Sequence, residues 1–242
     1  MRTVLLLTFY GVYAILLIPV VLFAALLKWP APVIAAGRFA VRVARPLLGI
    51  RLEVIGLDKF DRCRSYVFMP NHLSMLDGPL IYIQMPRFVH VIVKKELFRV
   101  PVLGWGMRVV GFVPVDRKGQ QGGRLAIARA ARLIREKGFS FLVFPEGTRS
   151  ADGRLQELRR GGFFLALDSG APIVPVSIAG TYPLLPKGGF SIKPGRVRIV
   201  FHDPIPLDGF DRDHLPVLID KVRAVIQSGL EQGQDAAEKG SA

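Results

Sequence analysis

The stretch Asn71-His72-Leu73-Ser74-Met75-Leu76-Asp77 sets an imidazole and a carboxylate five positions apart, the pair of groups that a proton-transfer site needs. On one continuous helix five residues turn through about 500°, so His72 and Asp77 would face different ways. They can meet only if His72 lies in the loop before a helix and Asp77 in its first turn. Ser74 is then the expected N-cap and Met75 the first helical residue. In that arrangement Asp77 accepts a hydrogen bond from one ring nitrogen and fixes the tautomer, leaving the other nitrogen to act as general base toward a hydroxyl. The same residues also read as an ordinary capping box, Ser74 with Asp77 three positions on, which requires no chemistry.

Two more clusters fall at expected strand ends: Gly-Phe-Val-Pro-Val-Asp-Arg at 111–117 and Phe-Pro-Glu-Gly-Thr-Arg-Ser at 144–150. A fourth, Ile-Val-Pro-Val-Ser at 173–177, lies within a strand. A phosphate monoester asks for guanidinium forks, and Arg117 and Arg149 are the natural pair. Arg117 also reads as a solvated residue beside Asp116 and Lys118. Gly147 lets a ligand approach the backbone closely. Glu146 should not touch a phosphate, because like charges repel; orienting Arg149 or hydrogen-bonding an acceptor oxygen suits it better. Asn71, or backbone N–H groups at the new helix start, are candidates to stabilise an oxyanion.

A braced imidazole taking a proton from a hydroxyl needs only a pKa matched to the working pH, so this pair calls for neither metal nor cofactor. No GxSxG elbow surrounds Ser74, and Cys63 sits between Arg62 and Arg64 with no base beside it, which disfavours a covalent intermediate on either residue. His90, His202 and His214 lack metal-like spacing and read as structural or surface residues. With Cys63 the only cysteine, an intramolecular disulfide and a multi-thiolate zinc site are excluded. HExxH, P-loop and GxGxxG-then-helix patterns are absent, which removes zinc hydrolysis, nucleotide triphosphate and dinucleotide readings.

The elements that must position these residues show in the hydrophobic pattern from Ile50 onward. Segments 66–69, 89–93, 111–115, 139–144, 173–178 and 197–201 read as strands, and 75–84, 123–137, 161–169 and 214–231 as helices. Such alternation predicts an α/β domain over 49–231 with a mixed, partly parallel sheet flanked by helices, its active residues in loops beyond the strand ends. Residues 232–242 are short, polar and rich in small side chains, and read as a disordered tail.

Residues 4–27 carry no charged side chain, and about 24 residues at roughly 1.5 Å each can cross a hydrocarbon core of about 30 Å. A cleaved signal peptide is disfavoured by the length of the run and the lack of a cleavage site. Lys28 and Trp29 suit an interface, and Pro30 and Pro32 allow a turn. A second helix from about residue 33 to 48 carries Arg38, Arg42 and Arg45 with apolar residues between, as a helix in the headgroup zone would, though a solvated face packed on the domain fits too. Pro46 is expected to end it a turn early. Residues 1–48 therefore read as a two-helix membrane segment, spanning or dipping into one leaflet, with the rest of the chain facing the cytoplasm. The formal net charge of +14, from 33 Lys and Arg against 19 Asp and Glu, points to an anionic partner, and the apolar N-terminus favours a lipid surface over nucleic acid.

The blocks Asn71, His72, Asp77 and Glu146-Gly147-Thr148-Arg149, with the Arg117 and 173–177 segments in order between and after them, resemble the 1-acylglycerol-3-phosphate acyltransferases of the glycerolipid acyltransferase family. Lys94-Lys95-Glu96-Leu97 is also similar to members that use lysophosphatidic acid. The resemblance implies His72 and Asp77 as the catalytic pair, with Asn71, Arg117, Glu146, Gly147, Thr148 and Arg149 around the acceptor. It implies transfer of a fatty acyl group from acyl-CoA or acyl carrier protein to the free hydroxyl of lysophosphatidic acid, at a membrane that in a bacterium is the inner one. Another lysolipid acceptor, such as a lyso-ornithine lipid, and a non-catalytic anion-binding protein are the alternatives. The Arg-rich helix 124–137 reads as a solvated face that could also dock an acidic acyl carrier protein.

Overall fold

The alternation becomes one seven-stranded sheet of order β1-β7-β6-β2-β5-β3-β4, built from β1 (Ile50–Ile55), β2 (Val67–Pro70), β3 (Val89–Lys94), β4 (Val113–Val115), β5 (Ser140–Leu142), β6 (Ile173–Ala179) and β7 (Gly195–Phe201). The computed structural model describes residues 2–85, 89–116 and 120–239. All neighbouring strands run parallel except β6 and β7, so the sheet is mixed and mostly parallel as expected. Because β6, β2, β5, β3 and β4 share one direction, their C-terminal ends open onto one edge, where loops collect.

Side chains that alternate along β2 feed two cores. Val67 and Met69 join Phe141, Ile173 and the helices α5 (Gln120–Lys137), α6 (Arg160–Ser169) and α8 (Leu215–Lys239) on one face. Phe68 points to the other face among Leu142, Val174, Val176 and Phe201. There the Phe60 ring meets Phe68 at 5.2 Å and Phe201 at 5.5 Å, so each ring is buried against aromatic edges. Fully burying Phe68 contributes about 1.5–3 kcal/mol.

Several elements lie outside the expected set. β1 pairs in register with β7, Ile50 opposite Gly195 through Ile55 opposite Val200. A 3-10 turn (Lys95–Arg99) leads into α4 (Leu103–Val110), and a short α7 (Thr181–Leu184) follows β6. Helix α8 continues to Lys239, so the segment from 232 expected to be disordered is helical to that point, in keeping with its Gln, Ala, Glu and Lys residues.

The N-terminal region forms α1 (Arg2–Leu26) and α2 (Ala31–Leu47), joined through Lys28, whose φ is 51°. Tyr13 Oη donates to the Ala36 carbonyl at 2.8 Å, tying the two helices together. Among the described residues no helix is long and apolar enough to cross a membrane, so the spanning anchor expected over 4–27 is not supported. Pro46 does not stop α2 early: it sits inside the last turn, and the Leu48 N–H still reaches the Ala44 carbonyl. Arg38 turns inward rather than toward headgroups, donating to the Met85 carbonyl at 2.9 Å with its guanidinium over the Tyr82 ring. Arg42 remains exposed.

Candidate active site

His72 leaves the end of β2 in an irregular loop, and helix α3 (Asp77–Tyr82) begins two residues later than the sequence suggests. Asp77 is responsible for the delay. Its Oδ2 accepts the main-chain N–H of Leu73 and of Ser74, both at 2.7 Å, together with His72 Nδ1–H at 2.9 Å. Three donors converging on one oxygen wrap the loop around the carboxylate. Ser74 makes only half of a capping box: its N–H reaches Asp77, but its Oγ accepts from Leu76 N–H at 3.2 Å and donates to the Leu185 carbonyl at 2.7 Å. The helix-start amides of Leu73 and Ser74 are thus committed to Asp77 and do not point at an oxyanion.

The pair expected from sequence is formed. Asp77 is fully buried, and the His72 side chain is 20% exposed. The His72 ring stacks on Phe144, with centroids 4.0 Å apart and planes at 27°. Donation from Nδ1 to Asp77 assigns the lone pair to Nε2, for which no partner stands among the described residues. This is the arrangement of a general base: one nitrogen braced, the other open.

The 144–150 cluster follows β5, the strand next to β2, which brings it beside His72. Glu146 is 2% exposed, and its carboxylate accepts the His72 N–H at 2.5 Å and the Gln156 N–H at 3.0 Å. Burial pushes its carboxyl up to about 7, against the pull of those two N–H groups and with Asp77 nearby adding to the rise. Both Glu146 oxygens thus hold main-chain N–H groups, and no bond from it to Arg149 stands among the described residues. Ser150 N–H closes the same loop onto the His72 carbonyl at 2.8 Å. Gly147 has φ +70°, and a Cβ there would press on the Arg159 side chain at 3.0 Å, so the turn depends on glycine. Thr148 is exposed and Arg149 partly so, and no partner for the Arg149 guanidinium stands among the described residues.

Asn71 faces β6. It is fully buried, its amide N–H donating to the Ile178 carbonyl at 2.9 Å and its carbonyl accepting the Ile178 N–H at 2.7 Å, which fastens the loop to β6. One amide hydrogen and the amide oxygen are thus engaged with β6 main chain. Arg117 lies outside the described residues. Its neighbour Asp116 pairs with Lys95 at the ends of β4 and β3, on the same sheet edge as His72.

Of the other histidines, His90 is buried and stacks on Phe139, His202 bonds Ser177 at 2.8 Å, and His214 bonds Asp211 at 2.9 Å. Among the described residues no cluster of His, Cys, Asp and Glu could hold a metal ion. Thr181 was not anticipated. It lies 104 positions from Asp77, and its hydroxyl donates to Asp77 Oδ1 at 2.6 Å; a contact so distant in sequence leaves no spacing to read.

A family model described as Acyltransferase matches residues 51–179. The 1-acyl-sn-glycerol-3-phosphate acyltransferase of Limnanthes alba is 30% identical over 92% of this chain and 81% of its own length. The chloroplastic 1-acyl-sn-glycerol-3-phosphate acyltransferase BAT2 of Brassica napus is 38% identical over 57% of this chain, and the match spans 40% of that protein. The crystal structure of the 1-acyl-sn-glycerophosphate (LPA) acyltransferase PlsC from Thermotoga maritima superposes with a TM-score of 0.83 at 29% identity, covering 96% of this chain and 95% of the other.

Proposed function

The chain belongs to the acyltransferase family, and from that premise we propose that it is a 1-acylglycerol-3-phosphate O-acyltransferase, moving a fatty acyl group from a thioester to the sn-2 hydroxyl of lysophosphatidic acid and producing phosphatidic acid. The observation that carries the reading is His72, held at 2.9 Å by a buried Asp77 with Nε2 open, beside the Glu146–Arg149 turn.

The chemistry balances without further groups. His72 Nε2 takes the hydroxyl proton as the oxygen attacks the thioester carbonyl carbon; the new C–O bond forms, the C–S bond breaks, and the imidazolium returns its proton to the departing thiolate. Asp77 steadies the transient imidazolium across Nδ1. Arg149 is assigned to the acceptor phosphate, with Arg117 as its partner. Acyl-CoA and acyl carrier protein both fit as donor.

The α1–α2 pair is assigned to a membrane surface. Its exposed apolar side chains include Phe23, Leu26, Leu27, Trp29 and Phe39, and Arg42 is exposed alongside them. A helix pair that turns back at Lys28 suits entry into one leaflet and return, with the sheet domain on the cytoplasmic side and the exposed Arg42 available to anionic lipid.

Purified protein assayed with a panel of lysolipid acceptors, each with acyl-CoA and with acyl carrier protein as donor, tests the assignment. The expected result is fastest transfer to lysophosphatidic acid and none by His72→Ala. Unchanged transfer by His72→Ala sinks the base, and preference for an acceptor lacking the phosphate monoester sinks the substrate.

A further inference from the structure

The family match stops at residue 179, and the site does not. Immediately beyond it, Gly180 has φ +88°, and a Cβ there would collide with the Arg196 carbonyl oxygen, so only glycine lets the chain leave β6 so sharply. The turn that follows is α7, and its contacts run to the two loops that carry chemistry. Thr181, fully buried, donates from its hydroxyl to Asp77 Oδ1 at 2.6 Å. The Leu185 carbonyl accepts from Ser74 Oγ at 2.7 Å, while Leu185 N–H closes the turn on the Thr181 carbonyl at 3.1 Å. Toward the other loop, Tyr182 Oη donates to the Ala151 carbonyl at 2.8 Å and Lys187 Nζ to the Arg149 carbonyl at 3.2 Å.

We propose that the segment 181–187 is a brace that sets the His72–Asp77 loop against the Arg149 loop, and that Thr181 is a positioning residue for the general base. Without Thr181, every donor to Asp77 among the described residues comes from positions 72–74 and engages Oδ2 alone. The carboxylate could then pivot about its Cβ–Cγ bond. The Thr181 hydroxyl engages Oδ1 from across the site and fixes the carboxylate plane, and with it the direction in which Nε2 faces. A hydroxyl locked at a short distance onto a buried carboxylate is a charge-assisted bond, the strong kind, so its loss is felt where the carboxylate acts.

The proposal rests on the acyltransferase reading, and its test separates the two. Steady-state transfer to lysophosphatidic acid is measured for the wild type, His72→Ala, Thr181→Val, Thr181→Ala and Thr181→Ser, with a thermal melt of each. The valine and alanine variants are expected to lose about 10- to 100-fold in kcat, the range expected when a hydrogen bond to a charged group is removed, with both KM values within about twofold. Serine keeps the hydroxyl and is expected to restore kcat to within about threefold of wild type. Parallel use of alanine prevents a folding defect peculiar to valine from deciding the outcome. Wild-type kcat in folded Thr181→Val or Thr181→Ala, while His72→Ala is inactive, overturns the brace and leaves the base standing. A serine variant no better than valine, or a fall in kcat matched by a general rise in both KM values, also overturns it. Activity in His72→Ala overturns the underlying reading instead.

Discussion

Glu146 Oε1 accepts the main-chain N–H of His72 at 2.5 Å, so the Glu-Gly-Thr-Arg turn holds His72 by its backbone. The second carboxylate oxygen holds Gln156 N–H, which makes Glu146 a buried joint between two loops.

A pH effect on stability follows from that joint. Burial raises the Glu146 carboxyl to about 7 from an ordinary value of 4.5. Between those values the native state binds more proton than the unfolded chain, so the contribution of this group to stability is full below about 4.5 and is lost as pH rises to about 7. Glu146→Gln cannot ionise and lacks that dependence. The expected outcome is that Tm of the wild type, taken relative to Glu146→Gln, falls from about pH 5 to about pH 7.5 and is flat above it. A Tm difference independent of pH across that window contradicts the buried proton.

Asp77 accepts from four donors, His72 Nδ1, the N–H groups of Leu73 and Ser74, and the Thr181 hydroxyl. Asparagine must turn an NH2 group toward one or more of them and leave buried polar atoms facing each other. Asp77→Asn should therefore lose about 2–4 kcal/mol of stability as well as about 10³-fold in kcat. Chemical denaturation and single-turnover transfer on the same preparation check both. Full stability with activity lost would mean that the carboxylate serves chemistry alone.

The parts of the site legible in the sequence are those whose partners lie close along the chain. His72 and Asp77 are five positions apart and meet as helix geometry requires, yet the start of α3 is displaced because Asp77 gathers the Leu73 and Ser74 amides that a plain N-cap would leave to Ser74. Asn71 and Glu146 stand in the expected motifs, but both bond to main-chain atoms of strands and loops 74 or more positions away, and a backbone partner has no side-chain signature. The Gly104 and Gly106 pair hides α4, since glycine weakens a helical pattern while here it admits close packing, Gly106 against Val33 of α2. β1 does show alternation, Leu52 and Val54 between Arg51 and Glu53, and pairs with β7 only through a contact spanning most of the chain. The centre of the sheet is readable because β2, β5 and β6 are short apolar runs buried on both faces.

Arg149 is held by its backbone, through the Lys187 bond to its carbonyl, and its guanidinium is the group proposed above to bind the acceptor phosphate. Removing the side chain should leave the His72 loop intact. Arg149→Ala is expected to raise KM for lysophosphatidic acid by about tenfold or more, in line with the loss of a charge-assisted bond, with kcat and donor KM little changed. A rise confined to donor KM would move Arg149 to the other substrate.

The proposed membrane docking by α1 and α2 predicts two separable contributions, because α1 exposes apolar side chains such as Phe23 and Leu26 while α2 exposes Arg42. Cations near an anionic leaflet contribute about 1 kcal/mol each, so Arg42→Glu should weaken sedimentation with vesicles containing anionic phospholipid by about tenfold or more. Salt near 1 M, where the Debye length falls to about 3 Å, should erase the difference between the variant and the wild type. Phe23→Asp should weaken binding to anionic and to neutral phosphatidylcholine vesicles alike, and salt should not restore it, since burial of apolar surface is not screened. Sedimentation that ignores both substitutions would place the lipid-facing surface elsewhere on the molecule.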